Sequence, residues 1–294
     1  MKNKFTIAGL QLSFTSKAKE NEKKTLSWVK KASRQGAQVI CLPELYRTQY
    51  FCQREDFSLF DLAETIPGPS TRAFQKAARD NKAAIVLPIF EKRAPGIYHN
   101  TVVMIDSDGT ILGIYRKMHI PDDPAFYEKY YFTPGDLGFR VFETKYGKVG
   151  SLICWDQWYP EGARLTSLQG ASVLFYPTAI GWHPEEKERY GKAQQDSWIT
   201  VQRGHSIANG VYVCSVNRIG FERPVLEQAG IEFWGNSFIC DPQGVIIAEA
   251  SSNEEEIIQA EVDLTHLETI RRNWPFLRDR RIDAYGEITK RFLD

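Results

Sequence analysis

The sequence predicts an α/β protein of one domain, layered around a mixed sheet or two sheets. Apolar runs of strand length alternate with stretches of helical period through the first part and the middle of the chain. Hairpin-like strand pairs are interspersed among them. The 294 residues contain no linker, low-complexity run or internal repeat that would divide them.

Each element has a local reason. Phe5–Leu12 (FTIAGLQL) reads as a first strand. Lys19–Ser33 reads as an amphipathic helix, with Leu26, Val29 and Ala32 on one face, lysines on the other and Gly36 as a stop. Ala37–Leu42 is a second apolar strand, so strand, helix and strand suit a βαβ unit. The Pro67–Ser70 turn introduces a helix over Thr71–Asn81, and Ala83–Phe90 is a buried strand. Tyr98–Asp106 and Thr110–Tyr115 form a hairpin joined at Asp108-Gly109. His119–Gly138, rich in Pro, Asp and Tyr, reads as a loop. Phe139–Glu143 and Lys148–Ile153 suit another hairpin, turning at Tyr146-Gly147. Helices follow over Gly162–Gln169, started by Pro160, and over Ala193–Ala208, striped by Trp198, Val201, His205 and Ala208. Strands are expected at Ser172–Tyr176 and Val211–Val216. Asn236–Cys240 and Val245–Ala250 suit a third hairpin. Glu256–Val262 is the last strand, Leu264–Arg271 a short helix, and Arg272–Asp294 a charged, aromatic tail.

Composition narrows the function classes. Hydrophobic residues make up 43% and charged residues 25%, as in ordinary globular proteins. Lys+Arg and Asp+Glu both number 37, so no basic bias points to nucleic acid. No apolar run reaches a membrane span, and the N-terminal residues lack the pattern of a signal peptide. Five dispersed cysteines without a CxxC pair fit a reducing, cytoplasmic setting and argue against a disulfide framework or structural zinc. His119, His183 and His205 show no metal-ligand spacing, and His205 reads as a core histidine. There is no GxSxG elbow, phosphate loop or dinucleotide fingerprint.

Four residues have the chemistry for a site. Cys154 lies between the apolar run Val149–Ile153 and a helix started by Pro160. A thiol on such a turn is presented at the end of a sheet, near backbone N–H groups that favour negative charge. A lone cysteine there is more often a core hydrophobe. Glu44 follows an apolar strand and Pro43, where a low-dielectric neighbourhood suits a general base. Lys117 ends a strand and could hold a developing oxyanion. Glu128 sits in FYEKYYF, whose five aromatics could wall a pocket around it. Each residue alone also fits a solvated or structural role.

The three segments LPEL around Glu44, YRKMH around Lys117 and LICWD around Cys154, in that order, resemble the nitrilase or carbon–nitrogen hydrolase superfamily. The resemblance covers nearly the whole chain, from the first strand to about Val262. It implies a catalytic Glu44, Lys117 and Cys154, with the second glutamate of many members falling on Glu128. It also implies a four-layer αββα sandwich that pairs through its helical layers into an αββα-αββα homodimer or a larger oligomer. The domain then spans 1–262, and the C-terminal segment 263–294 serves oligomer contacts. No metal or organic cofactor is implied.

Within the superfamily, MHIPDDP, CWDQWYPE, YPTAIG and SVNRIG are similar to the branch of N-carbamoylputrescine amidases. That branch implies a small carbamoyl amine as substrate, with the Trp155 backbone N–H as an oxyanion donor. Candidates for the ammonium end are Asp122, Asp123, Tyr127, Trp155, Trp182 and Glu185. One departure stands out: plant members carry an acidic residue soon after AIG, where this chain has Trp182-His183-Pro184. A β-ureidopropionase or ω-amidase would instead need a basic residue for a substrate carboxylate. A non-catalytic interaction protein on the same fold is the alternative from another class.

Overall fold

The computed structural model describes residues 3–223 and 229–293. The first half runs β1 (Lys4–Gln11), α1 (Ala18–Arg34), β2 (Val39–Cys41), α2 (Pro69–Asn81), β3 (Ala84–Ala94), β4 (Ile97–Ile105) and β5 (Ile111–Arg116). The middle runs α3 (Glu128–Tyr131), β6 (Val141–Glu143), β7 (Lys148–Ser151), α4 (Pro160–Leu168), β8 (Val173–Pro177), β9 (Gly181–Trp182) and α5 (Pro184–Asn209). The remainder is β10 (Tyr212–Val216), β11 (Ile219–Glu222), β12 (Ile231–Trp234), β13 (Phe238–Cys240), β14 (Ile246–Glu249), β15 (Glu256–Asp263) and α6 (Leu264–Asn273).

Two six-stranded sheets result, ordered β15-β1-β2-β3-β4-β5 and β14-β13-β10-β8-β7-β6. Each has a parallel centre, β1-β2-β3 and β10-β8-β7, flanked by antiparallel strands. The two-residue side-chain period sorts the layers. On β2, Val39 and Cys41 enter the core between the sheets, while Ile40 and neighbouring Leu42 join the cluster with Val29 and Ala32 of α1 and Phe74 of α2. β3 divides likewise, Ala84 and Val86 against Ile85 and Leu87. On the other side, Ala163 of α4 and Trp198 of α5 pack with the second sheet. The architecture is therefore the αββα sandwich, helices outside two facing sheets. Gly9 marks a close approach of the two sheets: a Cβ there would lie 2.7 Å from Cγ2 of Val216 on β10.

Three features differ from expectation. Helix α5 begins at Pro184, nine residues before Ala193, because its first turns carry polar residues all round and no apolar stripe marks them. A small third sheet, β11-β12-β9, is an addition to the expected elements. The stretch from 119 to 138 contains the four-residue helix α3. At the C-terminus, α6 docks on its own chain through buried Leu267 and through Arg271, which donates to the carbonyls of Gly210 (2.9 Å) and Ala171 (3.0 Å). Beyond it, Trp274, Phe276, Ile282, Tyr285, Ile288 and Phe292 are exposed. Among the described residues, no helix is long and apolar enough to cross a membrane.

Candidate active site

The ends of three strands bring three reactive groups together. Glu44 follows β2, Lys117 follows β5 and Cys154 follows β7. Helix α3 adds Glu128. All four are buried, with Glu44, Lys117 and Glu128 at 0% and Cys154 at 5% exposure. Lys117 Nζ lies 2.9 Å from Glu44 Oε1 and 2.6 Å from Glu128 Oε2. Asn100 Nδ2 donates to Glu44 Oε1 at 2.7 Å, and Tyr50 Oη donates to Glu128 Oε1 at 2.6 Å. Glu44 Oε2 is buried without a hydrogen-bond partner.

Two carboxylates thus share one ammonium in a dry site. Burial pulls the Lys117 ammonium down, but Glu128 and Glu44 outweigh it and hold it well above the ordinary lysine value. Burial pushes Glu128 up to about 7, helped by the Glu44 charge and opposed by Lys117. Burial, then the Glu44 charge, pushes the Cys154 thiol well above its usual value, with Lys117 acting the other way. The resting sulfur is therefore a neutral thiol, contrary to the thiolate that a helix start alone would favour. The low-dielectric surroundings outweigh backbone dipoles here.

Cys154 sits at φ 44°, in the left-handed region, and opens the short turn of helix Cys154–Trp158. A non-glycine residue there costs on the order of 1–3 kcal/mol, so the surroundings must impose it. Asp156 is the main restraint. Its buried carboxylate accepts from Ile153 N (2.9 Å), Tyr115 Oη (2.7 Å) and His119 N (3.0 Å), and pairs with His119 Nδ1 at 2.7 Å. One side chain therefore ties the turn bearing Cys154 to the backbone two residues past Lys117. The His119 ring stacks on Tyr159, centroids 3.8 Å apart.

Cys154 opens into a cavity of about 600 Å³. Trp155, Trp158, Phe126 and Trp234 form much of its wall, and Asp123, His183, Glu186 and Gln194 supply polar groups. Of the residues expected at the ammonium end, Trp155 and Asp123 line this cavity. Tyr127 and Glu185 line an adjoining one, which shares His183 and Glu186 with the first. Asp122 is exposed and lines neither. Trp182 also lies behind the wall: it packs on Trp234 at 5.3 Å, donates to the Gly191 carbonyl at 2.9 Å and carries the Lys187 ammonium over its ring. Glu186, Gln194, Tyr50 and Asn100 are not marked out by the sequence alone. Pro184 as a helix start is the available signal for Glu186, since it places both glutamates in the first turn of α5. His205 is a core residue, pairing through Nε2 with the Gln157 carbonyl at 2.7 Å.

A four-layer sandwich with a buried Glu, Lys and Cys at its strand ends and a second buried Glu beside them belongs with the hydrolases that cleave carbon–nitrogen bonds. The family model "Carbon-nitrogen hydrolase" matches residues 6–272. The chain belongs to the carbon–nitrogen hydrolase family. It is 44% identical over 283 residues to the N-carbamoylputrescine amidase of Solanum lycopersicum, covering 95% of this chain and 93% of that one. It is 42% identical over 288 residues to the citrullinase of Francisella tularensis, covering 97% and 98%. Among solved structures, a carbon–nitrogen hydrolase from Helicobacter pylori G27 superposes with a TM-score of 0.95 at 44% identity, over 99% of this chain and 100% of that one.

Proposed function

We propose that this chain hydrolyses N-carbamoylputrescine to putrescine, ammonia and carbon dioxide, with Cys154 as nucleophile. The carbamoyl carbon is a weak electrophile, because two nitrogens donate into its carbonyl. It therefore calls for a strong nucleophile and a held oxyanion. Glu44 takes the thiol proton, through the oxygen left unpartnered in the resting site. Cys154 Sγ then attacks the carbamoyl carbon. The carbonyl oxygen becomes an oxyanion held by the Lys117 ammonium and the Trp155 backbone N–H. Glu44 returns its proton to the departing nitrogen and leaves an acyl-enzyme. It next takes a proton from water, and the hydroxide attacks the acyl carbon. Breaking the carbon–sulfur bond, with the proton returned from Glu44 to sulfur, regenerates the thiol and releases a carbamic acid, which breaks down to carbon dioxide and the second amine product. Glu128, fixed by Tyr50, keeps the Lys117 ammonium in place.

The observation that carries the substrate reading is the charge of the cavity wall. Asp123 and Glu186 are present, and no Lys or Arg is among its described lining residues. Aromatic faces and carboxylates suit an ammonium. Citrulline differs from N-carbamoylputrescine only by a carboxylate on the carbon bearing that ammonium. Among the described lining residues a substrate carboxylate finds no Lys or Arg to pair with, which disfavours citrulline, carbamoyl-β-alanine and ω-amidase substrates alike. Ammonia release from these compounds tests the reading. N-carbamoylputrescine is expected to have a kcat/KM at least about tenfold above the others, and Cys154→Ser to lose nearly all activity. Faster turnover of citrulline or carbamoyl-β-alanine would overturn the substrate; an active Cys154→Ser would overturn the nucleophile.

The exposed Leu165 and Leu168 of α4 and the exposed aromatic and aliphatic side chains of the charged tail support a homodimer formed through the helical layer and the segment 263–294. Five free cysteines support residence in the reducing cytoplasm.

A further inference from the structure

The segment between Glu44 and Tyr50 joins two parts of the site without forming a helix or strand. Its carbonyls need partners, and Leu45 is held at φ 48° directly after Glu44. Those partners come from the second sheet. Arg218, just past β10 and completely buried, donates through Nη2 to the carbonyls of Glu44 (2.6 Å) and Leu45 (3.1 Å), and through Nη1 to that of Thr48 (3.3 Å). Its Nη1 also pairs with Glu222 Oε1 at 2.9 Å. Glu222 Oε2 accepts the Tyr50 backbone N–H at 2.5 Å. The guanidinium plane lies between aromatic rings, 4.9 Å from Phe14 and 5.3 Å from Phe233.

We propose that Arg218, locked by Glu222, is a positioning residue for the acid–base step, fixing both Glu44 and the Tyr50 hydroxyl that orients Glu128. This rests on the reading of Glu44 as the general base. The pair touches neither the sulfur nor the cavity, so it acts through backbone. Stability alone is a poor reason for it, since buried ion pairs are commonly matched or bettered by apolar packing. What an apolar replacement lacks is the planar fork that grips successive carbonyls of a strained turn. Lysine lacks it too.

Arg218→Lys therefore keeps the charge and loses the grip. In the full-length enzyme it is expected to lower kcat at least about tenfold, with KM within about threefold. The acid limb of the kcat profile is expected to move, because releasing the turn that Arg218 grips changes the spacing within the Glu44–Lys117–Glu128 cluster. Glu222→Gln, which leaves the carbonyl contacts in place and weakens the lock, is expected to give a smaller loss with the same moved limb. Should Arg218→Lys not fold, Glu222→Gln decides alone. A wild-type kcat and pH profile in the folded Arg218→Lys variant, or in Glu222→Gln if that is the one available, would overturn the proposal. Glu44→Gln separates the two levels of inference. If it remains active, the general-base reading fails. If it is inactive while Arg218→Lys behaves as wild type, only the positioning role fails.

Discussion

Lys117 carries one positive charge between two buried carboxylates, and the arrangement leaves a mark on stability as well as on chemistry. Glu128 is raised to about 7 in the folded state, from 4.5 in an unfolded chain. Between those values the folded state holds a proton that the unfolded state releases. Stability from this group is thus full below about pH 4.5 and is lost as pH rises through about 7. The shift of Lys117 is upward from 10.5 and acts only at higher pH. Glu128→Gln should therefore flatten the fall in urea midpoint between pH 5 and pH 8. Parallel curves for the two proteins would refute that. The same residues show what a sequence discloses about a site. A strand end or a cluster of aromatics gives Glu44, Lys117, Cys154 and Glu128 each its place but not its role; they are legible through the family resemblance of the segments that carry them. Tyr50, Asn100 and Asp156 are not, since a buried hydroxyl, amide or carboxylate has no spacing of its own. Their value lies in which backbone or carboxylate they meet, and that is set by how two sheets stack.

At the scale of elements, β1 meets β10 across the sandwich at Gly9. Any larger side chain must push into Val216 and Ile258, whose Cγ1 would lie 3.1 Å from an added Cβ. Gly9→Val is expected to cost about 1–3 kcal/mol through overpacking. That should appear as a lowered thermal midpoint, with kcat per folded molecule altered far less. An unchanged midpoint would mean that the sheets separate freely at this crossing. The central strands are easy to find in the sequence, and their partners are not, for one physical reason. Val39–Leu42 and Ala84–Leu87 are buried on both faces, so the run is apolar throughout and names neither face. Two stacked sheets therefore follow from the family resemblance rather than from periodicity. β11 and β12 escape notice because Gly220, Glu222 and Glu232 interrupt their apolar character.

At the scale of the whole molecule, α6 is fastened to the body and the residues after it are not packed into the core. A chain ending at Asn273 keeps Leu267 and Arg271, so it should fold with a near-native midpoint. If the tail joins two copies, size-exclusion with light scattering should show the full chain as a dimer or larger and the shortened chain as a smaller species. Equal masses for the two would remove the tail from the interface. The interior has its own collective property. All five cysteines are buried, and burial is the first cause raising every one of their thiols. Peroxide oxidises thiolates rather than thiols. Storing the sulfur of Cys154 as the neutral acid gives up nucleophilicity at rest and confers endurance between turnovers. On the proposed mechanism, oxidative wear is then confined to the brief interval after Glu44 has taken the proton, when a substrate carbon already occupies the path an oxidant would need.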